Sequence, residues 1–441
     1  MKQVVIVGGG FAGLSCAREL ARLSDTRVTL IDKNNYQQFQ PLLYQVATGV
    51  LSGSNVAFNL RNLFRRHSNV DVKMAEVVSV DLSTRTVVTA EGQEYRGDFL
   101  VLAAGSQANF FDTPGADKNS FPLYSLRDAD KLRSRIIAVL ESVDRDPSLV
   151  DKGALNFVIV GAGPTGTEMA GAFGDAARVL TADRRFKNLP TGQAQIVLVD
   201  QSDSVLNAFS ERARSYATKA LLRRGVQIRM RTSVKAVGPG YVLLSDGTSI
   251  KTRTVIWAGG LRAATLSAHL GIQPGRGGRL EVHADLTVKG FEAVYALGDF
   301  ANIAGDDGRP LPQLASVAQQ CGRWCAKNIA HDLAGRSRKP FRYHDKGIMA
   351  MIGRNSAVAE LGGRRREIHG PIAFVAWLAV HIALLTNTRA RVEALIEWAW
   401  DYFARVRSNP ILDHFEATKI NWNSQDEGEA PDLRAPAQKL H

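Results

Sequence analysis

Two glycine-rich segments of this 441-residue chain carry the residue types and spacing that hold phosphate groups. The first, Gly8-Gly9-Gly10-Phe11-Ala12-Gly13, follows the β-branched run Val4-Val5-Ile6-Val7 and precedes an apolar helical pattern through Leu14, Ala17, Leu20 and Ala21. Strand, turn and helix thus come in the order that dinucleotide binding needs. Gly8 permits the tight turn, Gly10 lets the backbone approach a pyrophosphate, Gly13 allows close helix–strand packing, and the helix N-terminus offers N–H donors. A second strand, Val28-Thr29-Leu30-Ile31, ends at Asp32, 24 residues after Gly8, where a carboxylate can accept the ribose hydroxyls and disfavours a 2′-phosphate. The pattern recurs after the strand Phe157-Val158-Ile159-Val160, as Gly161-Ala162-Gly163-Pro164-Thr165-Gly166 opening a helix at Thr167. Its carboxylate is Asp200, 39 residues after Gly161, beyond an insertion that includes Asp183-Arg184-Arg185 and Pro190-Thr191-Gly192. Asp200, followed by Gln201, favours NADH over NADPH, with Arg212 and Arg214 as the groups that could still meet a phosphate.

The elements that must position these turns are strands ending in small residues. Leu100-Val101-Leu102-Ala103-Ala104-Gly105 and Val255-Ile256-Trp257-Ala258-Gly259-Gly260 each lie about a hundred residues beyond a glycine turn. They are expected to close the two dinucleotide domains, with Ala104, Gly105 and Gly259 against the ligands. The length suits two or three domains, and 45% apolar residues suffice to fill them. Lys and Arg outnumber Asp and Glu by 55 to 43, a net +12 that suits nucleic acid, an anionic membrane or plain solubility. Basic runs interleaved with aromatics are missing, which excludes a nucleic-acid partner; the longest run, Arg364-Arg365-Arg366, adjoins an apolar segment and favours a lipid surface. Cys16, Cys321 and Cys325 are too few for a disulfide framework and have no metal-ligand cluster beside them. Met1-Lys2 runs directly into a strand, so a signal peptide is not expected.

Ala293-Val294-Tyr295-Ala296-Leu297-Gly298-Asp299 is a further strand ending in Gly-Asp. With the two turns it resembles the flavoprotein family of glutathione reductase and its relatives. That resemblance implies that the Gly-Asp strand returns to the first domain, that Asp299 binds the ribitol of FAD, and hence that FAD occupies the first turn and NADH the second. The disulfide reductases of that fold need a cysteine pair that residues 34–60 lack. In its place stands Phe39-Gln40-Pro41-Leu42-Leu43-Tyr44-Gln45-Val46-Ala47-Thr48-Gly49 after Asp32-Lys33. This segment, the stretch Glu168-Met169-Ala170-Gly171 and Gly347-Ile348-Met349-Ala350-Met351-Ile352-Gly353-Arg354 are similar to those of type II NADH dehydrogenases, single-subunit NADH:quinone oxidoreductases that pump no protons.

The resemblance implies an α/β fold with two Rossmann-like domains, the NAD domain inserted in the FAD domain, and a C-terminal amphipathic helical region that associates with a membrane. The expected divisions are 1–115 and 276–335 for the FAD domain, 116–275 for the NAD domain, 336–422 for membrane association and dimerisation, and 423–441 as a disordered tail. The implied FAD contacts are Gly8, Gly10, Phe11, Ala12 and Gly13, then Asp32, Lys33, Val77, Ala104 and Gly105, then Asp299 and Ala318. Those for NADH are Gly161, Gly163, Pro164, Thr165 and Gly166, with Asp200 and Gly259. By position alone Glu168 complements a helix dipole; the resemblance instead puts it beside the nicotinamide–flavin contact, orienting NADH and relaying protons. In Ala315-Ser316-Val317-Ala318-Gln319-Gln320 the family's second pocket amide is kept by Gln320, while the shorter Ser316 replaces the first. Pro41, Leu42 and Tyr44 would complete the quinone pocket. The implied reaction is hydride transfer from C4 of NADH to N5 of FAD, then two-electron reduction of ubiquinone or menaquinone. A ferredoxin or rubredoxin reductase and a slow flavin redox sensor are the rival readings.

Pro371 to Leu385 is apolar apart from His381, but its fifteen residues fall short of the roughly 20 that span a bilayer. Val392, Leu395, Ile396, Ala399, Phe403 and Val406 recur at helical spacing, with Trp398, Trp400 and Tyr402 beside them and Arg389, Arg391, Arg405 and Arg407 at the ends. The expectation is a peripheral homodimer on the cytoplasmic face of a bacterial inner membrane, against anionic lipid. Packing on the body or in a dimer seam is the alternative for these helices.

Overall fold

The computed structural model describes residues 1–182, 186–363 and 365–404. Asp183, Arg184, Arg185, Arg364, Arg405, Val406, Arg407 and the expected tail lie outside the described residues.

Two compact units make up the chain. The first comprises Met1–Gln38, Ala57–Gln107 and Leu261–Lys346. Its centre is a parallel sheet ordered Val294–Ala296, Phe99–Leu102, Lys2–Val7, Thr26–Asp32, Val70–Met74. Val4, Val5, Ile6, Leu100, Val101 and Leu102 are fully buried, because helices cover both faces of such a sheet and each strand reads as a continuous apolar run. The helices Phe11–Leu20 and Ala315–Leu333 pack together. All three cysteines are fully buried where these helices meet the sheet, with burial pushing the Cys321 thiol up to about 12. They are small packing residues.

The second unit comprises Phe39–Val56, Ala108–Gly260 and the described residues from Gly347 onward. It repeats the architecture in a parallel sheet ordered Phe121–Pro122, Thr254–Trp257, Asn156–Val160, Gln195–Val199, Val226–Arg229. A three-stranded antiparallel sheet, Gly347–Gly353, Ser356–Leu361 and Arg366–His369, packs against the helix Pro164–Ala182 and the first C-terminal helix, Pro371–Leu384.

The two turns are superimposable in their bonding. Gly8 N–H donates to Ile31 O and Gly161 N–H to Val199 O, both at 2.8 Å. Their φ values, +103° and +101°, lie in the region only glycine enters without strain. A Cβ on Gly13 would collide with Gly8 O, and one on Gly166 with Gly161 O, so each helix starts in direct contact with its turn. Gly13→Ala and Gly166→Ala should each lower stability by about 1–3 kcal/mol through overpacking, read as a lower urea midpoint.

Candidate active site

In each unit the strand-end carboxylate is the anchor of the turn. Asp32 Oδ2 accepts Gly9 N–H at 2.6 Å, and Oδ1 accepts Asn34 N–H at 2.7 Å. Asp200 Oδ2 accepts Ala162 N–H at 2.6 Å, and Oδ1 accepts Ser202 N–H at 2.7 Å. Burial raises the Asp32 carboxyl, opposed by the Asn34 and Gly9 amides and by Lys33. The second glycines, Gly10 and Gly163, face open space where a Cβ would touch nothing. Gly10 caps the helix Phe11–Leu20 without any side-chain cap, which leaves first-turn N–H groups for an anion. Pro164 and Thr165 are exposed beside Gly163. Both cradles can therefore admit a pyrophosphate.

Around the first cradle the sheet gathers other predicted residues. Ala103 N–H donates to Val7 O at 2.8 Å, which fixes Ala104 and Gly105 at the strand end beside Gly8. Asp299 lies in the short turn Gly298–Phe300, where its Oδ2 accepts the Ser106 hydroxyl at 2.8 Å; burial raises this carboxyl against that bond and the Arg279 charge. Gly298 sits between Ala12 and Ala318, with room for no larger side chains, and Gly298 N–H donates to Cys321 Sγ at 3.2 Å. That last contact was not foreseen from the sequence. Val77 opens the strand Val77–Asp81, two residues after Ala75, whose N–H donates to Asp32 O at 2.9 Å. On the helix Ala315–Leu333, Ser316 Oγ pairs with the Tyr343 hydroxyl at 2.9 Å, and Gln320 exchanges two 3.0 Å bonds with the backbone of His344. A ligand reaching Gln320 competes with those bonds.

In the second unit, Ala258 N–H donates to Val160 O at 2.8 Å and sets Gly259 beside Gly161. The same unit holds Pro41 and Leu42 in the turn Gln40–Leu42, Tyr44 in the helix Leu43–Ala47, and Glu168 in the helix Pro164–Ala182. Glu168 is 8% exposed and accepts Met351 N–H at 3.1 Å, so it is a buried carboxyl and more than a solvated complement to a helix dipole. Trp377 Nε1 is near enough to favour the charged form but falls outside hydrogen-bond geometry. Burial nevertheless pushes the Glu168 carboxyl up to about 8. A group so poised carries a proton near neutrality and can release it, which is the requirement for proton relay. Burial also raises Tyr44 far above its ordinary value, and the Glu168 charge adds to this.

The C-terminal helices each have an inner and an outward face. His381, Trp377, Ala373 and Leu385, four residues apart, form the inner face of the first, and Trp377 stacks on His381 at 3.7 Å. His381 is thus a packed histidine, lowered by burial to about 4. In the second helix, Thr388–Ala404, Ala390, Ala394 and Trp398 turn inward, whereas the predicted stripe of Val392, Leu395, Ile396 and Phe403 is exposed.

The pyridine nucleotide-disulphide oxidoreductase model matches residues 2–322. Type II NADH:quinone oxidoreductase Ndh of Mycobacterium tuberculosis is 33% identical over 431 residues, covering 94% of this chain and 91% of its own. NdhA of the same organism is 34% identical over 428 residues, covering 93% and 89%. The solved structure of NDH2 from Plasmodium falciparum in complex with NADH has the same fold, with a TM-score of 0.83 over 92% of this chain and all of that one at 19% identity.

For an acid raised in the folded state, the native protein holds more protons than the unfolded one between the two values. The Glu168 contribution is therefore most favourable below 4.5 and declines as pH rises to about 8. Glu168→Gln should flatten the fall in thermal midpoint between pH 5 and pH 8, measured by differential scanning calorimetry.

With duplicated dinucleotide cradles and near full-length similarity to those relatives, the chain belongs to the pyridine nucleotide-disulphide oxidoreductase family and, within it, to the type II NADH:quinone oxidoreductases.

Proposed function

We propose that the protein oxidises NADH and reduces a membrane quinone through FAD, without proton pumping, and that the duplicated cradle carries this reading. The first unit fits FAD: Gly8, Gly10 and Gly13 admit the pyrophosphate, Phe11 and Ala12 begin the helix that faces it, and Asp32 meets the ribose beside Lys33. Ala104, Gly105, Asp299 and Ala318 complete that site, with Val77 at its edge. The second unit fits NADH, with Gly161, Gly163, Pro164, Thr165 and Gly166 around the pyrophosphate, Asp200 on the adenosine ribose and Gly259 at the strand end. When bound, the flavin supplies the two-electron chemistry between nicotinamide and quinone.

The chain's own residues then bind, orient and move protons. Asp200 meets the ribose hydroxyls through lone pairs not used by Ala162 and Ser202, and repels a 2′-phosphate. Glu168 is the proton-holding group. In the first unit Ser316 and Gln320 are the polar residues offered to the quinone, and in the second Pro41, Leu42 and Tyr44 are the residues assigned to it.

No helix among the described residues is long and apolar enough to cross a membrane. Ile372, Val375, Trp400 and Phe403 are nevertheless 73%, 63%, 62% and 80% exposed on the C-terminal helices. Such a surface, on a chain of net +12, supports shallow docking as a homodimer on anionic lipid at the cytoplasmic face of a bacterial inner membrane, where ubiquinone or menaquinone is the acceptor. The test is steady-state NADH oxidation with a soluble quinone, together with rapid-mixing flavin reduction. Gln320→Ala should lower quinone turnover by about tenfold or more, the loss of a hydrogen bond or two, with NADH-dependent flavin reduction intact. Slow turnover of the unaltered protein with every quinone, despite rapid flavin reduction, would overturn the proposal.

A further inference from the structure

An unbroken path of buried contacts joins the second C-terminal helix to Glu168, all of it inside the second unit. Trp398 Nε1–H donates to Gln45 Oε1 at 2.6 Å, and Gln45 Nε2 donates to the Tyr44 hydroxyl oxygen at 3.0 Å. The Tyr44 hydroxyl donates to Met351 Sδ at 3.2 Å, and Met351 N–H donates to Glu168. Gln45 is 4% exposed, in a segment whose other buried residues, Leu42, Leu43, Val46 and Ala47, are apolar. A buried amide among them is costly unless both its ends are satisfied, and here Trp398 satisfies the oxygen and Tyr44 the nitrogen. The Trp377 ring fills the space beside the path, edge-on to Tyr44 at 6.4 Å and 5.9 Å from Trp398. A second strut, Asn55 Nδ2 to Glu393 Oε2 at 3.5 Å, holds the same helix to the same segment, Phe39–Val56.

Trp398 is on the inward face of a helix whose outward face, with Leu395, Ile396 and Trp400, is exposed apolar surface. Whatever moves that helix must move Trp398. We infer that Gln45, locked by Trp398, is a positioning residue that holds Tyr44 and Met351 in the arrangement burying Glu168, so that the second C-terminal helix controls whether water reaches this carboxyl. The inference rests on the proposed role of Glu168 as the proton-holding group. Among the described residues, the charged and titratable groups along the path are Tyr44, which feels Glu168 and also Asp175 in its 2.9 Å ion pair with Arg224, and neutral His381 behind Trp377. Of these only Tyr44 is joined to the Trp398 N–H, and only through Gln45.

The experiment uses the full-length, flavin-loaded protein and follows the infrared carbonyl band of protonated Glu168 against pH, the band being identified by its loss in Glu168→Gln. Trp398→Phe removes the donor and leaves a smaller aromatic ring in its place. It should lower the midpoint of that band by about one pH unit, as water relieves the desolvation, and the alkaline limb of quinone turnover should move down with it. An unmoved midpoint in Trp398→Phe overturns the inference. If that variant does not fold, Gln45→Met, which removes both bonds at similar volume, decides by the same criterion. Quinone turnover in Glu168→Gln separates the two readings: unaffected turnover removes the catalytic role of Glu168 but leaves the water-access result standing, whereas lost turnover with an unmoved midpoint defeats only the positioning claim.

Discussion

A strand-end carboxylate takes up the second amide of each glycine turn at 2.6 Å, Gly9 on Asp32 and Ala162 on Asp200, and both cradles depend on that bond. A hydrogen bond to a charged acceptor is worth about 1.5–3 kcal/mol. It fixes the turn against the neighbouring strand, which in turn fixes the helix N-terminus and the open space at Gly10 and Gly163. The positive φ of Gly8 and Gly161 and the close approach of Gly13 and Gly166 are the steric side of the same constraint. The cradle can be this short only because no side chain intervenes.

This much was legible in the sequence, since strand, turn, helix and carboxylate are local features whose residue types are dictated by backbone geometry. Asp299 was legible only through family resemblance, because its partner Ser106 is 193 residues away in the chain. Gln45, Trp377, Trp398 and Met351 were missed for a related reason. Their contacts are tertiary, and a glutamine or tryptophan in an apolar run has no periodic signature that distinguishes a buried strut from a surface group. The C-terminal helices were legible in part. The stripe through Val392, Leu395, Ile396 and Phe403 is exposed, as a lipid-facing reading expects, but in the first helix, Pro371–Leu384, nearly every position is apolar and the 3.6-residue period cannot tell the inner face from the outer.

Glu168 marks where local and tertiary determinants meet. The glycine turn dictates the start of its helix, but the strand Gly347–Gly353 and Trp377 determine that the carboxyl is dry. A buried acid destabilises the folded chain once it ionises, and a structure keeps such a group where proton exchange is needed. The residues that enclose it belong to the segment Phe39–Val56, the strand Gly347–Gly353 and the C-terminal helices, the parts of the second unit that have no counterpart in a plain dinucleotide-binding domain. The scaffold is thus duplicated, while the burial of this carboxyl depends on additions to one copy.

In the proposed function, two cradles of the same geometry hold different dinucleotides, FAD on Asp32 and NADH on Asp200. Flavin content and the NADH KM of Asp200→Ala test it most directly. Retained stoichiometric flavin with a KM raised by about tenfold, equivalent to about 1.4 kcal/mol of lost binding, is the predicted result. Loss of flavin with an unchanged KM for NADH would contradict it.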